Sequence, residues 1–161
     1  MSYATVAEPA EILLVEDNEH YVYLTQRAFG KAKVAANLHH VDNGRKCLAF
    51  LRRELPYATV PVPDVILLDL DLPVMDGRQV LEEIVGDDAL RHLAVVVLTT
   101  QDKYTEVMRM YRLRCSSYIC KPDEFDKYVE MIRKFADYWL SVVMLPTRDG
   151  TGTRFPAGGL G

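Results

Sequence analysis

The chain is poor in cysteine, has one tryptophan and carries no excess of basic residues. Each shortage excludes a class of function. The three cysteines, Cys47, Cys115 and Cys120, are odd in number and form no Cys-x-x-Cys pair. They supply neither a disulfide framework nor a thiolate metal site and read as free, mostly buried thiols. With 19 Lys and Arg against 23 Asp and Glu, the net charge is -4. A nucleic-acid partner held by bulk positive charge is therefore not expected. No stretch is apolar for long enough to cross a bilayer, so no membrane partner is expected. The N-terminus lacks the basic-then-apolar order of a signal peptide, and a cytoplasmic location is expected.

What is present is a single globular domain's worth of sequence: 161 residues, 49% apolar and 26% charged. Short apolar runs alternate with amphipathic segments. Strands are expected at 11–15, 38–41, 65–68, 93–98 and 117–120. Helices are expected at about 19–31, from Cys47 to near Leu55, from Gly77 to Gly86, at 104–112, and from Asp123 to past Trp139. Residues 1–10 read as a flexible lead-in, 11–146 as the domain with a C-terminal extension, and 147–161 as a disordered tail rich in Gly, Thr and Pro. Five strand–helix repeats imply a parallel sheet with helices on both faces, joined by right-handed crossovers.

The central stretch is Val65-Ile66-Leu67-Leu68-Asp69, four apolar residues running into an acid. A continuous apolar run of this length suits a strand buried on both faces, and ligands of such sheets bind at the strands' carboxyl ends. Those ends carry Glu16 and Asp17 after the first strand, Asp69 after the third, Thr99 at the fourth and Lys121 after the fifth. Two carboxylates 4 Å apart repel by ~4 kcal/mol at an effective dielectric of 20, so three converging acids need a cation. An all-oxygen donor set suits Mg²⁺. A metal, a hydroxyl and an ammonium around one carboxylate make a site for phosphoryl transfer, with Asp69 as nucleophile.

Four segments in this order resemble the response-regulator receiver domain of two-component signalling: Leu14-Val15-Glu16-Asp17-Asn18, Leu67 to Gly77, Val97-Leu98-Thr99-Thr100, and Tyr118-Ile119-Cys120-Lys121-Pro122. The resemblance covers about Glu11 to Leu140. It implies a flavodoxin-like (βα)5 doubly wound α/β fold, a five-stranded sheet in the order 2-1-3-4-5, with an extended C-terminal segment. It implies that Asp69 accepts phosphate from a histidine kinase and that Glu16, Asp17, Asp69 and the Asp71 backbone carbonyl hold Mg²⁺. It further implies a Thr99/Tyr118 switch, and a cis Lys121–Pro122 bond that aims Lys121 at Asp69. Asp71 and Gln101 are expected to tune hydrolysis of the acyl phosphate. Thr100 stands where the family prefers a very small residue, and its bulk is expected to narrow access to Asp69. The proline-bearing connection before Asp64 and the ending from Asp137 to Pro146 are similar to regulators paired with bacterial phytochrome kinases.

His20, His39, His40 and His92 lack metal-ligand spacing and read as structural or surface residues. The last helix carries two apolar stripes. Phe125, Val129, Ile132, Ala136 and Trp139 form one, and Tyr128, Met131, Phe135 and Tyr138 the other. One stripe covers a sheet, so the second is expected to be exposed and to form a homodimer with the fourth helix, the fifth strand and the extension. The competing reading of that segment folds it back over its own domain.

Two other functions fit parts of the pattern. A haloacid-dehalogenase-like phosphatase would use the Asp69-Leu70-Asp71 acid pair. Against it, those enzymes carry the pair on their first strand, the chain is short for a substrate cap, and Pro73 stands where they have Thr or Val. A degenerate receiver that binds partners without being phosphorylated is the other alternative, and the full set of acceptor residues opposes it. The leading expectation is a phosphoacceptor signalling module without an attached output domain, not an enzyme, catalysing only its own phosphorylation and dephosphorylation.

Overall fold

A computed structural model describes residues 8–147 and 150–154. Five parallel strands, β1 Ala10–Val15, β2 Ala36–Val41, β3 Val65–Leu68, β4 Ala94–Thr99 and β5 Ser117–Cys120, form one sheet in the order β2-β1-β3-β4-β5. Between and after them run α1 Glu19–Lys31, α2 Gly44–Leu51, α3 Gly77–Val85, α4 Tyr104–Arg112 and α5 Phe125–Asp137. This is the flavodoxin-like receiver fold in the expected order.

Alternation along the central strands builds two cores. Leu13, Val15, Ile66, Leu68, Val95 and Val97 face α2, α3 and α4. Ile12, Leu14, Val65, Leu67, Val96 and Leu98 face α1 and α5. β1, β3 and β4 are buried on both faces almost throughout, which is why they read as unbroken apolar runs. Asn18 caps α1, accepting from the His20 and Tyr21 amides at 2.9 and 3.3 Å. Asp76 and Gln79 form a reciprocal capping box at the start of α3. Gly77 is required there, because a Cβ would collide with the Asp69 carbonyl oxygen and reach 2.8 Å from Leu70 Cα. The absence of a side chain lets α3 close in behind the strand end.

Several boundaries differ from the sequence expectation. α2 ends at Leu51 instead of near Leu55, because Arg53 turns left-handed at φ 53° and the Glu54 amide closes on the Ala49 carbonyl at 2.9 Å. β2 starts two residues earlier, extended by pairing of Ala36 with Ala10. The Lys121–Pro122 bond is not cis; Leu55–Pro56 is the cis bond among the described residues. Lys121 still reaches the sheet edge because its amide continues the ladder onto the Thr99 carbonyl at 2.8 Å.

The largest correction concerns α5 and the segment after it. Tyr128 and Phe135, expected on an exposed dimer face, are 0% and 4% exposed. The helix meets α1 as well as the sheet, so its buried arc is wider than one stripe. The Thr25 hydroxyl donates to the Tyr21 carbonyl at 2.7 Å, which leaves the Tyr128 hydroxyl to donate to Thr25 Oγ1 at 2.8 Å. Phe135 meets Phe29 edge-on at 6.3 Å. Met131 is half-buried and Tyr138 exposed. After Asp137 the chain passes into a π-helical turn, Tyr138–Val142, and folds back, burying Leu140 and Leu145 in the same core. Strand β6 Leu145–Pro146 then pairs antiparallel with β7 Thr153–Arg154, so part of the expected unstructured tail is paired. The expected flexible lead-in and the remainder of that tail fall mostly outside the described residues.

Candidate functional site

The carboxyl ends of β1 and β3 bring Glu16, Asp17 and Asp69 together. One oxygen from each carboxylate lies within 4.8 Å of the others. Glu16 is 1% exposed and Asp69 8%, while Asp17 is exposed. β5 delivers Lys121, whose Nζ donates to Asp69 Oδ2 at 3.1 Å and to Glu16 Oε1. The Leu70 amide donates to Asp69 Oδ1 at 2.8 Å, so both oxygens of that carboxylate have a donor. Asp69 opens onto a cleft lined by Asp17, Tyr21, Asp71, Thr100 and Lys121, among others.

Charge is crowded here. Burial, then the neighbouring Asp69 carboxylate, push the Glu16 carboxyl up to about 7, against the pull of Lys121. One ammonium therefore does not offset three acids. The donor set is all oxygen, partly open to the cleft and in excess of positive charge, and it fits a hard divalent cation.

Other predicted residues stand around this centre in distinct ways. Thr99 is fully buried, and its Oγ1 accepts a long hydrogen bond of 3.4 Å from the Gln101 amide. The Asp71 side chain points outward, accepting from Gln101 Nε2 at 2.8 Å and pairing with Arg78 at 3.5 Å. Tyr118 packs partly buried against the first core and donates to the Gln101 carbonyl at 2.7 Å. Burial raises its phenol to about 12, so it stays a donor at neutral pH. Thr100 is exposed and lines the cleft onto which Asp69 opens. Cys47 and Cys115 are buried, Cys120 is exposed, and all three are free.

Sequence reasoning missed several neighbours. Arg78, at the start of α3, donates to Glu106 on α4 at 2.7 Å while reaching Asp71, and so ties α4 to the site loop. His40, read from the sequence as structural or surface, is structural here: its Nε2 donates to the Glu16 carbonyl at 2.7 Å and anchors the β1 end. The Tyr21 ring lies over Lys121. No spacing rule marks these residues. Only Asn18, legible as a cap, pointed to the turn that carries Tyr21.

Comparison with known proteins identifies the family of the chain. The response regulator receiver domain family matches residues 12–133. The chain is 36% identical over 138 residues to the response regulator Rcp1 of Synechocystis sp., covering 86% of this chain and 94% of that protein. It superposes on the phosphorylated cyanobacterial phytochrome response regulator RcpA with a TM-score of 0.82 at 37% identity, covering 86% of this chain and 99% of that one. The Mn²⁺-bound form of Rcp1 gives 0.80 at 35% identity, over 86% and 100% of the two chains. The chain belongs to the response regulator receiver family, whose members are signalling proteins rather than classical enzymes. Among its similar proteins are phytochrome response regulators. No helix among the described residues is long and apolar enough to cross a membrane.

Proposed function

We propose that this chain receives a phosphoryl group on Asp69 from the phosphohistidine of a histidine kinase, most fittingly a bacterial phytochrome kinase. The observation that carries the reading is Asp69 itself: a carboxylate at a strand end, open to the cleft, with Lys121 on one oxygen and two further acids within 4.8 Å. A carboxylate oxygen of Asp69 forms the new bond to phosphorus as the bond to the imidazole nitrogen breaks. The electron pair stays on that nitrogen, which takes up a proton. Lys121 exchanges its hold on the carboxylates for the incoming phosphoryl oxygens, and the Thr99 hydroxyl donates to another of them. Mg²⁺, held by Glu16, Asp17, Asp69 and the Asp71 backbone carbonyl, supplies positive charge against those oxygens when bound. Water later cleaves the acyl phosphate. Asp71 and Gln101, bonded to each other beside the cleft, stand where they govern that water's approach.

The signal travels through Thr99 and Tyr118. Both contact Gln101 in the loop before α4, Thr99 at its amide and Tyr118 at its carbonyl. A shift of Thr99 toward a phosphoryl oxygen therefore changes the loop that holds Tyr118. The output surface is a homodimer face on α4, β5, α5 and the extension. Ile119, Met131, Tyr138 and Trp139 line an apolar groove along the edge strand, and Val142 and Met144 of the extension are exposed. Phosphoramidate with Mg²⁺ tests the acceptor. The parent should gain one phosphoryl group per chain, labile to hydroxylamine, and Asp69→Asn none. A parent that gains nothing would make the non-phosphorylated binding module the better reading.

A further inference from the structure

Tyr21 belongs to none of the motifs behind the functional reading, yet it is the third partner of the Lys121 ammonium. Its ring centroid lies 4.0 Å from Lys121 Nζ. The other cation–ring contacts among the described residues lie at 5.2 to 5.6 Å. An ammonium has three N–H donors. One meets Glu16, one meets Asp69, and the ring face remains for the third. The Lys121 side chain is 3% exposed, so little water shares this contact, and a desolvated cation–ring attraction is at its strongest. The ring is held from its own backbone. Asn18 accepts the Tyr21 amide at 3.3 Å, and Thr25 donates to the Tyr21 carbonyl at 2.7 Å.

We propose that Tyr21 is a positioning residue for the chemistry at Asp69, its ring face holding the Lys121 ammonium over the acceptor carboxylate and keeping water from it. The inference rests on the reading of Asp69 as phosphoacceptor. During transfer Lys121 keeps its three protons and trades carboxylate oxygens for phosphoryl oxygens, while the ring stays as a fixed wall. A neutral ring suits this place. It attracts the ammonium without competing for a phosphoryl oxygen, whereas another carboxylate there would pin Lys121 and repel the incoming group.

The test uses the full chain with Tyr21→Met, which keeps apolar bulk and loses the ring, and Tyr21→Phe, which keeps the ring and loses the hydroxyl. In metal-free protein, acylation of Lys121 by an N-hydroxysuccinimide ester is followed by peptide mass spectrometry. Labelling should be about tenfold faster in Tyr21→Met, equivalent to ~1.4 kcal/mol of lost attraction, and restored in Tyr21→Phe. Phosphoryl uptake from phosphoramidate with Mg²⁺ should slow by a similar factor in Tyr21→Met and recover in Tyr21→Phe. Tyr21→Trp, with a larger ring face, covers the case in which Tyr21→Met does not fold, and should label no faster than the parent. Equal labelling and uptake across the variants would overturn the inference alone, as would slowing that Tyr21→Phe fails to restore. A parent that takes up no phosphoryl group would overturn the acceptor reading and the role of Tyr21 with it.

Discussion

Strand β3 is bounded by two buried aspartates, and they do opposite things. Asp64, before its first residue, is 6% exposed; Asp69, after its last, is 8% exposed. Asp64 serves the backbone. Its Oδ2 accepts the Glu11 amide at 2.8 Å, and its own amide returns a bond to the Glu11 carbonyl at 2.7 Å. That reciprocal pair fastens β1 to β3. Asp69 instead faces Glu16 and Asp17, with Lys121 as the nearby cation. Burial is nearly the same in both, so burial does not make a carboxylate functional. What sets Asp69 apart, on the reading of it as phosphoacceptor, is convergence of like charge at an open strand end, which a cation arriving from outside relieves.

Exchanging the chemistry of the two sites is the strongest way to break this comparison. Asp69→Asn should abolish phosphoryl uptake, read by intact mass, without loss of thermal stability, since it removes one of three repelling charges. Asp64→Asn should leave uptake intact. Next in size is the cation. The raised Glu16 carboxyl means that the metal-free folded chain binds that proton more tightly than the unfolded chain. The associated stability is fully present below the ordinary 4.5 and is lost as pH rises through about 7. Mg²⁺ competes with that proton. At a hundredfold excess over its Kd it should add ~2.7 kcal/mol above pH 7, shrinking toward pH 5, as followed by the melting temperature. Asp64→Asn should keep this pH dependence and Asp69→Asn flatten it.

Asp64→Ala should cost about 1–3 kcal/mol in urea denaturation, because the partly buried Glu11 amide loses its acceptor. The contrast recurs on α5 at smaller scale. Tyr128→Phe should lower stability by ~1 kcal/mol through the lost Thr25 bond and leave the oligomeric state unchanged. Met131→Asp on the groove should cost about 1–2 kcal/mol, because Met131 is half-buried against the second core, and should shift sedimentation from dimer to monomer. A Tyr128→Phe chain that dissociates, with a Met131→Asp chain that stays dimeric, would reverse the assignment of the two faces.

The site was legible where sequence and strand geometry coincide. β1 and β3 are buried on both faces, so the first acid after each apolar run, Glu16 and Asp69, marks a carboxyl end, and Thr99 and Lys121 follow at the ends of β4 and β5 from counting strands. Asp64 was not legible as a fastening residue, because its partner is an amide 53 positions away in sequence. Tyr21 and Arg78 carry no signal of their own, since their meaning depends on which side chains other strands and helices bring within reach. Tyr128 and Phe135 of the second stripe of α5 were misread for the same reason, whereas Met131 stays half-buried and Tyr138 exposed. A helical repeat shows which residues share a face, but not that α1 and a returning extension cover that face along with the sheet.

Native mass spectrometry with beryllofluoride and Mg²⁺, on the parent, Asp69→Asn and Asp64→Asn, asks most directly whether Asp69 is the acceptor and its equally buried counterpart Asp64 is not. One beryllofluoride per chain is expected in the parent and in Asp64→Asn, and none in Asp69→Asn. An adduct that survives in Asp69→Asn, or a parent that binds none, would contradict the assignment of Asp69.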